Sequence, residues 1–486
     1  MQEIYTDELT MDTQENISSE TSKWRRMMWY VLGGLMLSCV SFNILGLGYI
    51  LPMVGLVLQW IGFRQLQRET IWFRVCWVFT SARIVFAVVN LSLYATIWHT
   101  VIMQSPIYVT AAWGNAILMF AIVVCFWLGM REIRSRLPEP IVNRAAGYLV
   151  VWYAVFVLLG IMQYSGFLPL VLIVLYLVIF YKLFRLSAQI DEMGYTVQDV
   201  PVRVPDVWFA GITCMILALG IGCGYVFLDQ YPMEWRAISA EEQSAKEHDA
   251  VYAHLKALGV EEYVLRDFSA EDLQQCKDAI RVHTQKEHEI AGWNASNELV
   301  TLHATHVAVE LPSENDNVKW RIIHHFQWSE PLECYGTECM KLWPTYVDHN
   351  NRQAWGKIGE MTGQVLYQAD GESYCAPYYS IGTEQYQTVD FFRGQQVRND
   401  VFARFSYPAG GEQYRGYVTY ATEQHDHMYI DSWMNYAHQT TKVQYPVQSA
   451  ADYMKASSFR SGGAFSYHQK ALQLYLPELD ETETES

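Results

Sequence analysis

The sequence predicts an N-terminal all-α polytopic membrane bundle of about seven transmembrane helices, followed by a mainly β, antiparallel sandwich-like α+β extracytoplasmic domain. Three observations predict it. Residues 27–229 are dominated by Leu, Val, Ile, Phe and Trp. Basic loops alternate along that stretch with loops that hold no Lys or Arg. Beyond it, short runs alternate apolar and polar residues between turn formers, the period of strands with one buried face.

Residues 1–23 are polar and acidic and are expected to form a cytoplasmic tail; no cleavable signal is evident, so the first apolar segment serves as an uncleaved signal anchor. Residues 24–229 form the predicted bundle. A crossing needs about 20 apolar residues, and seven segments qualify, near 27–46, 49–63, 71–98, 108–130, 146–163, 167–184 and 207–228. The second is short, carries Pro52, and joins the first through Leu45-Gly46-Leu47-Gly48, so a re-entrant hairpin competes with a full crossing.

Charge orients the bundle. Lys23, Arg25 and Arg26 precede the first segment, and Arg64, Arg68 and Arg74 lie between the second and third. Arg131, Arg134, Arg136 and Arg144 follow the fourth, and Lys182, Arg185 and Arg203 follow the sixth. The alternate loops, around 45–48, 99–107 and 164–166, carry none. Since cytoplasmic loops are enriched in Lys and Arg, the N-terminus is expected inside, and residues from about 230 outside, of a plasma membrane.

Ionisable groups inside a span are costly and mark functional candidates. Arg83 is the one deep charge, roughly 13 Å along its helix from Arg74. Asn90 is seven residues on, so it shares the face of Arg83. Asn43, Asn115 and Gln163 are uncharged candidates elsewhere. A snorkelling or packing role competes with a substrate pathway at Arg83, because no acidic partner lies at matching depth.

The outer half is acidic. Up to Asp229 there are 14 Lys plus Arg and 14 Asp plus Glu; from Gln230 onward there are 20 and 37, a net −17. Nucleic acid is excluded as a partner, since phosphate binding needs a basic face. Ser239-Ala-Glu-Glu242 has the form of a capping box opening a helix that closes at Gly259, and Ser269-Ala-Glu-Asp272 opens a second through about Ala279. These fill a helical connector over 230–297. A mainly β domain is expected over 298–475, with strands near 298–309, 319–328, 363–369, 386–393, 400–407, 412–421 and 427–434. Asp370-Gly371 and Ala409-Gly410-Gly411 supply turns. Ser449-Ala-Ala-Asp-Tyr-Met454 reads as one or two helical turns. Residues 476–486 form an acidic tail expected to be disordered.

Thirteen of the fourteen histidines lie outside, which raises a metal site. Strand geometry argues against it: His303 and His306, three apart, face opposite ways, as do adjacent His324 and His325. Only His425 and His427, with Asp431 nearby, share a face. No metal site and no cofactor is assigned. Cys334-Tyr-Gly-Thr-Glu-Cys339 brackets a Gly-containing loop that could bring two sulfurs into bridging distance outside the cell. A Cys276–Cys375 bridge stays open as well. Trp328, Trp343, Trp355 and Trp433 are expected in the β core, with a recognition face as the alternative. No nucleophile elbow, phosphate loop, dinucleotide fingerprint or zinc-protease motif is present.

Asn43-Ile-Leu-Gly-Leu-Gly-Tyr-Ile-Leu-Pro52, with Gly62-Phe-Arg-Gln-Leu66 and Phe73, resembles the opening of uncharacterised multi-helix membrane proteins of Gram-positive anaerobes. Asp267-Phe-Ser-Ala-Glu-Asp-Leu273 with Cys276 resembles the start of their external domains. The likeness spans about a fifth of the chain and implies a bacterial plasma membrane, with no residue role. The functional expectation is a non-enzymatic surface binding or sensing module. Its partners would be the lipid bilayer and an extracellular ligand or membrane protein. A transporter and an external hydrolase are the alternatives.

Overall fold

The computed structural model describes residues 22–39, 47–139, 141, 143–162, 167–201, 204–293, 299–314, 317–347, 353–355, 357–390, 394–424, 429–456 and 463–475. The chain divides into two compact units, Met1–Gly224 and Tyr225–Ser486.

The first unit is helical: α1 (Lys23–Cys39), α2 (Leu47–Leu66), α3 (Ile71–Leu93), α4 (His99–Gln104), α5 (Pro106–Ser135), α6 (Ala145–Ile161), α7 (Leu168–Glu192) and α8 (Asp206–Phe227), the last running into the second unit. Pro106 at the start of α5 and Thr70 before α3 fit their positions. Proline loses nothing at a first turn, and Thr70 Oγ1 accepts the Phe73 N–H.

Each of the seven expected segments contains a described helix, but among the described residues only four are long and apolar enough to cross a membrane: α3, Leu170–Glu192 of α7, α5 and α8. The expectation of seven such spans is corrected accordingly. Described α1 has 17 residues, three of them the cations Lys23, Arg25 and Arg26. Helix α2 dilutes its apolar face with Gln59, Arg64 and Gln65. Helix α6 is apolar but has 17 residues.

The surface of this unit marks it as membrane-associated. Ile107, Val151, Leu170 and Val207 are 62–84% exposed, an outer face that only a lipid-like medium would favour. Inward, Trp24, Leu32, Phe63, Phe73, Phe126, Trp152, Tyr176 and Phe180 share one core. With no hydrophobic drive between helices in lipid, close packing must hold them. Helices α1 and α2 achieve it through glycine. A Cβ on Gly34 would stand 2.5 Å from the Gly55 carbonyl oxygen, and one on Gly55 would stand 2.7 Å from that of Gly34. Gln59 Nε2 donates across the same contact to the Gly34 carbonyl (3.0 Å) and to Ser38 Oγ (2.6 Å).

The second unit is a two-sheet sandwich with helical covers. Its strands are β1 (Arg236–Ala237), β2 (Arg281–Trp293), β3 (Leu299–Glu314), β4 (Asn317–Trp328), β5 (Glu338–Val347), β6 (Gln353–Trp355), β7 (Lys357–Ala369), β8 (Glu372–Pro377), β9 (Ser380–Asp390), β10 (Gly394–Phe405), β11 (Glu412–Gln424), β12 (Tyr429–Gln439) and β13 (Phe465–Tyr475). One sheet has the order β1-β8-β7-β11-β4-β3-β2; the other is β13-β12-β5-β10-β9, with β6 beside β5. Alternation decides which residues meet between them: Trp320, Ile322, Phe326 and Trp328 of β4 face Met340, Leu342, Phe405 and Tyr436 in one buried cluster.

Four short helices follow, α9 (Ala240–Glu247), α10 (Ala250–Ala257), α11 (Glu262–Asp267) and α12 (Ala270–Gln274), of which α10, α11 and α12 pack on the outer face of the first sheet. The single helix expected from Ser239 to Leu258 is broken at His248, where Asp249 caps a new start. Ser239 Oγ does accept the Glu242 N–H, and Glu242 pairs with Arg236 (2.9 Å). Helix α13 (Ala450–Lys455) covers Cys339, Phe402 and Ala437 on the other sheet.

Strand β2 lies where a helical connector was expected. It is an edge strand carrying Lys, Glu and His, so its apolar alternation is weak. Strand β5 was missed because Pro344 speaks against a strand interior. It sits between the stretch paired with β10 (338–342) and that paired with β6 (345–347). The expected turns are present: Asp370 (φ 52°) and Gly371 (φ 81°) join β7 to β8, and Gly410 (φ 80°) precedes β11.

Candidate binding cleft

The richest polar constellation lies where α10–α12 dock on the first sheet. Strand β4 presents Arg321, Ile323 and His325 outward at i, i+2 and i+4, while β11 presents Arg415 and Tyr417. Ile323 and Tyr417 meet the apolar side of the helices. The charged residues meet two aspartates.

Asp267, at the end of α11, is buried. Its Oδ2 is 2.8 Å from His325 Nε2, and its Oδ1 accepts from Arg415 Nε at 2.8 Å. Burial alone would raise this carboxyl; the Arg415 guanidinium and His325 outweigh it and hold the group below the usual carboxylate range. Gln364 Nε2 also donates to the Asp267 carbonyl (2.8 Å). Lys246 Nζ bonds the Phe268 carbonyl (2.8 Å), and its pKa is lowered, chiefly by burial.

Asp272 forms the second anchor. It accepts from Tyr417 Oη at 2.5 Å and lies 3.4 Å from Arg321 Nη2, with Thr362 Oγ1 as a further donor. Burial, then the Asp272 charge, pushes the Tyr417 phenol well above its ordinary value, so it remains a donor. Gly363, beside Thr362, has φ +149°, and a Cβ there would fall 2.1 Å from the Tyr417 carbonyl oxygen. Only glycine lets β7 approach β11 at this point.

Above Asp267 and Arg415 opens a cleft of about 760 Å³. Four amides, Gln243, Gln327, Gln368 and Gln413, line it, with Arg266 and both Glu247 and Glu372. Donors and acceptors of both charges converge there. No hydroxyl or thiol among the described residues hydrogen-bonds His325, whose Nδ1 is buried without a partner. No group of three or more His, Cys, Asp or Glu placed to hold a metal occurs among the described residues.

The residues singled out in the sequence are dispersed. Arg83 is buried, with Nε 3.1 Å from Asn115 Oδ1 and Nη1 2.7 Å from Met119 Sδ. Asn90 Oδ1 accepts from Tyr108 Oη (2.5 Å). Both face α5, as their spacing requires. Cys334 and Cys339 are free, buried thiols on opposite sides of the second sheet, Cys334 in the intersheet core and Cys339 beneath α13. The expected bridge is not formed. Burial raises both thiols, Cys339 to about 12. Cys276 and Cys375 are free as well, and burial raises them too, Cys276 to about 11.

His306 and His324 point into the sandwich core, Nδ1 to Nδ1 at 2.7 Å, and His324 Nε2 meets Ser432 Oγ at 2.7 Å. Burial lowers both pKa values and keeps the rings neutral. Trp328 is in the core, whereas Trp343 is half-buried on the outer face of the second sheet, with Lys341 Nζ 4.6 Å over its ring. His425, His427, Asn43, Gln163 and the Trp355 side chain lie outside the described residues.

Nothing in the sequence alone brings Asp267, His325 and Arg415 together as a site. The signal was present in part: Asp267 and Asp272 flank a serine cap, and Arg321 and His325 share one strand face. What joins them is a pairing of distant segments.

No protein-family model matches the chain, and no curated protein is similar to it. Among solved structures it is similar to one described as a pore forming protein, at 9% identity, over 40% of this chain and 92% of that one, with a TM-score of 0.18. A likeness of that size carries no argument about fold or role.

Proposed function

We propose that the chain is an integral plasma-membrane protein whose bundle anchors an acidic extracytoplasmic recognition domain. The domain takes a small polar ligand in the cleft above Asp267 and Arg415. One observation carries this reading: the cleft has a charged floor pinned by His325 and Arg415, under a ring of four glutamines. Preorganised polar groups of both kinds in one concavity favour a ligand that hydrogen-bonds in several directions. The resemblance to membrane proteins of Gram-positive anaerobes, and the alternation of basic and bare loops, support the plasma membrane and the outward orientation.

The test is a thermal-shift screen of the detergent-solubilised full chain against amino acids, dipeptides and small saccharides. At least one class should stabilise the protein, and Gln327→Ala with Gln368→Ala should abolish the shift without lowering the unliganded melting point. No shift from any class would sink the reading. A reporter fused at Glu234 should signal outside; a cytoplasmic signal would overturn the outward orientation.

A transporter is the second reading, favoured by Arg83 buried against Asn115. Arg83→Leu should leave a binding module intact. Loss of phenotype in that variant at normal expression, with the external domain dispensable, would favour transport.

A further inference from the structure

Helix α6 begins and helix α7 ends at one edge of the bundle, where a second cleft of about 840 Å³ lies between them. Arg144, Lys182 and Arg185 line it, with Asn143, Tyr148 and the single carboxylate Glu192. Three cations elsewhere in the bundle are paired: Arg64 with Asp206 (3.0 Å), Lys23 with Asp199, and Arg136 with Glu132. Among the described residues, Arg144, Lys182 and Arg185 have no ion-pair partner. Arg144 also stands at the N-cap of α6, where Asn143 Oδ1 accepts only the Ala145 N–H (2.9 Å), so the positive end of the helix dipole adds to the same place.

The cations continue into apolar stripes. Down α6 the helical spacing runs Arg144, Tyr148, Val151, with Tyr148 50% and Val151 62% exposed. Down α7, in the opposite chain direction, it runs Arg185, Tyr181, Val178, Val174, the last three 45–67% exposed. Each stripe passes from cation to tyrosine to aliphatic residues. That is the order of phosphate, interface and hydrocarbon in half a bilayer, where tyrosines settle at headgroup level.

We propose that this cleft binds an anionic phospholipid, its phosphate on Arg144, Lys182 and Arg185 and its acyl chains along the two stripes. Basic pockets between membrane helices hold such headgroups by charge. The proposal rests on the reading of the bundle as membrane-embedded.

The test is native mass spectrometry of the full chain in detergent, titrated with phosphatidylglycerol or phosphatidylcholine of identical chains. Phosphatidylglycerol should bind at least about tenfold more tightly. The triple variant Arg144→Gln, Lys182→Gln, Arg185→Gln should lose that preference, while Arg25→Gln with Arg131→Gln, and Lys182→Arg alone, keep it. Equal affinity for both lipids, or a preference that survives the triple variant, overturns the proposal. So does full displacement of phosphatidylglycerol by millimolar inorganic phosphate, which would assign the cations to a free anion. Recovery of the chain from the soluble fraction without detergent would instead overturn the membrane reading beneath it. Detergent dependence with equal lipid affinities would sink the lipid site alone.

Discussion

The two units bury opposite things. The bundle turns Ile107, Val151, Leu170 and Val207 outward and ties its helices together at polar contacts such as that between Gln59 and the Gly34 carbonyl. The sandwich buries Asp267, Asp272, Arg321, His306, His324 and His325. A medium that gives apolar surface no penalty leaves shape as the selector, so glycine contacts matter. Water pushes apolar residues inward everywhere, so position must be specified by groups that tolerate one partner only.

The largest effect that could break this contrast is at Asp267. Asp267→Asn leaves Arg415 buried without its counter-charge and should destabilise the external unit by about 3–5 kcal/mol. Adding Arg415→Met should recover a good part of it, since an apolar replacement of a buried pair is often neutral. Chemical denaturation of the full chain in detergent measures both, and a cost under roughly 1 kcal/mol for the single change would show that the pair is not structural.

In the bundle, Gly34→Val should cost about 1–3 kcal/mol or prevent recovery of monodisperse protein, because the clash is with backbone. Gly33→Val, where a Cβ meets nothing within 4 Å, is the control and should be tolerated. Equal behaviour of the two would refute glycine-mediated packing of α1 on α2.

A pH-dependent effect separates the units. His306 and His324 stay neutral in the fold, whereas in the unfolded chain they take up protons below roughly pH 6.5. Their stabilising contribution is therefore complete above that pH and is lost as the pH falls, by up to about 1.4 kcal/mol per pH unit for each ring. Asp267 acts lower: its depressed carboxyl contributes fully above roughly pH 4 and is lost only below it. His306→Leu with His324→Leu should flatten the slope between pH 6.5 and 4.5, and an unchanged slope would place the titrating groups elsewhere.

The smallest expected effect is a null one. Cys334 and Cys339 should resist alkylation in the folded protein and react fully on unfolding without reductant, at unchanged mass. A mass lower by about two hydrogens, with no free thiol at either position, would restore the bridge.

The bundle was legible as helices because apolar runs need no partner to be recognised; what the runs did not reveal is how short some helices would be. Period-two alternation exposes β3, while β4 and β11, buried on both faces, read as strands from their β-branched and aromatic residues. It failed on β2, whose Lys and Glu residues blur the alternation at an edge, and on β5, which accommodates Pro344 at a gap between two partners. Strand geometry sends His324 and His325 to opposite faces but names no partner for His325. Its partner, Asp267, lies 58 residues away in the chain. Only the docking of α11 on β4 makes them neighbours.

That docking has a mechanical consequence. A helix laid on a sheet by leucines alone can slide by a fraction of a turn and find nearly equal contacts. The layer of α10–α12 cannot, because Asp267 and Asp272 sit like two dowels, each in its own socket of Arg415 with His325 and of Arg321 with Tyr417. Two dowels fix both translation and rotation, so this layer leaves its seat as one piece or stays put. Since Asp267 and Arg415 also form the floor of the glutamine-lined cleft, a ligand that lifted one socket would shift the whole helical layer at once.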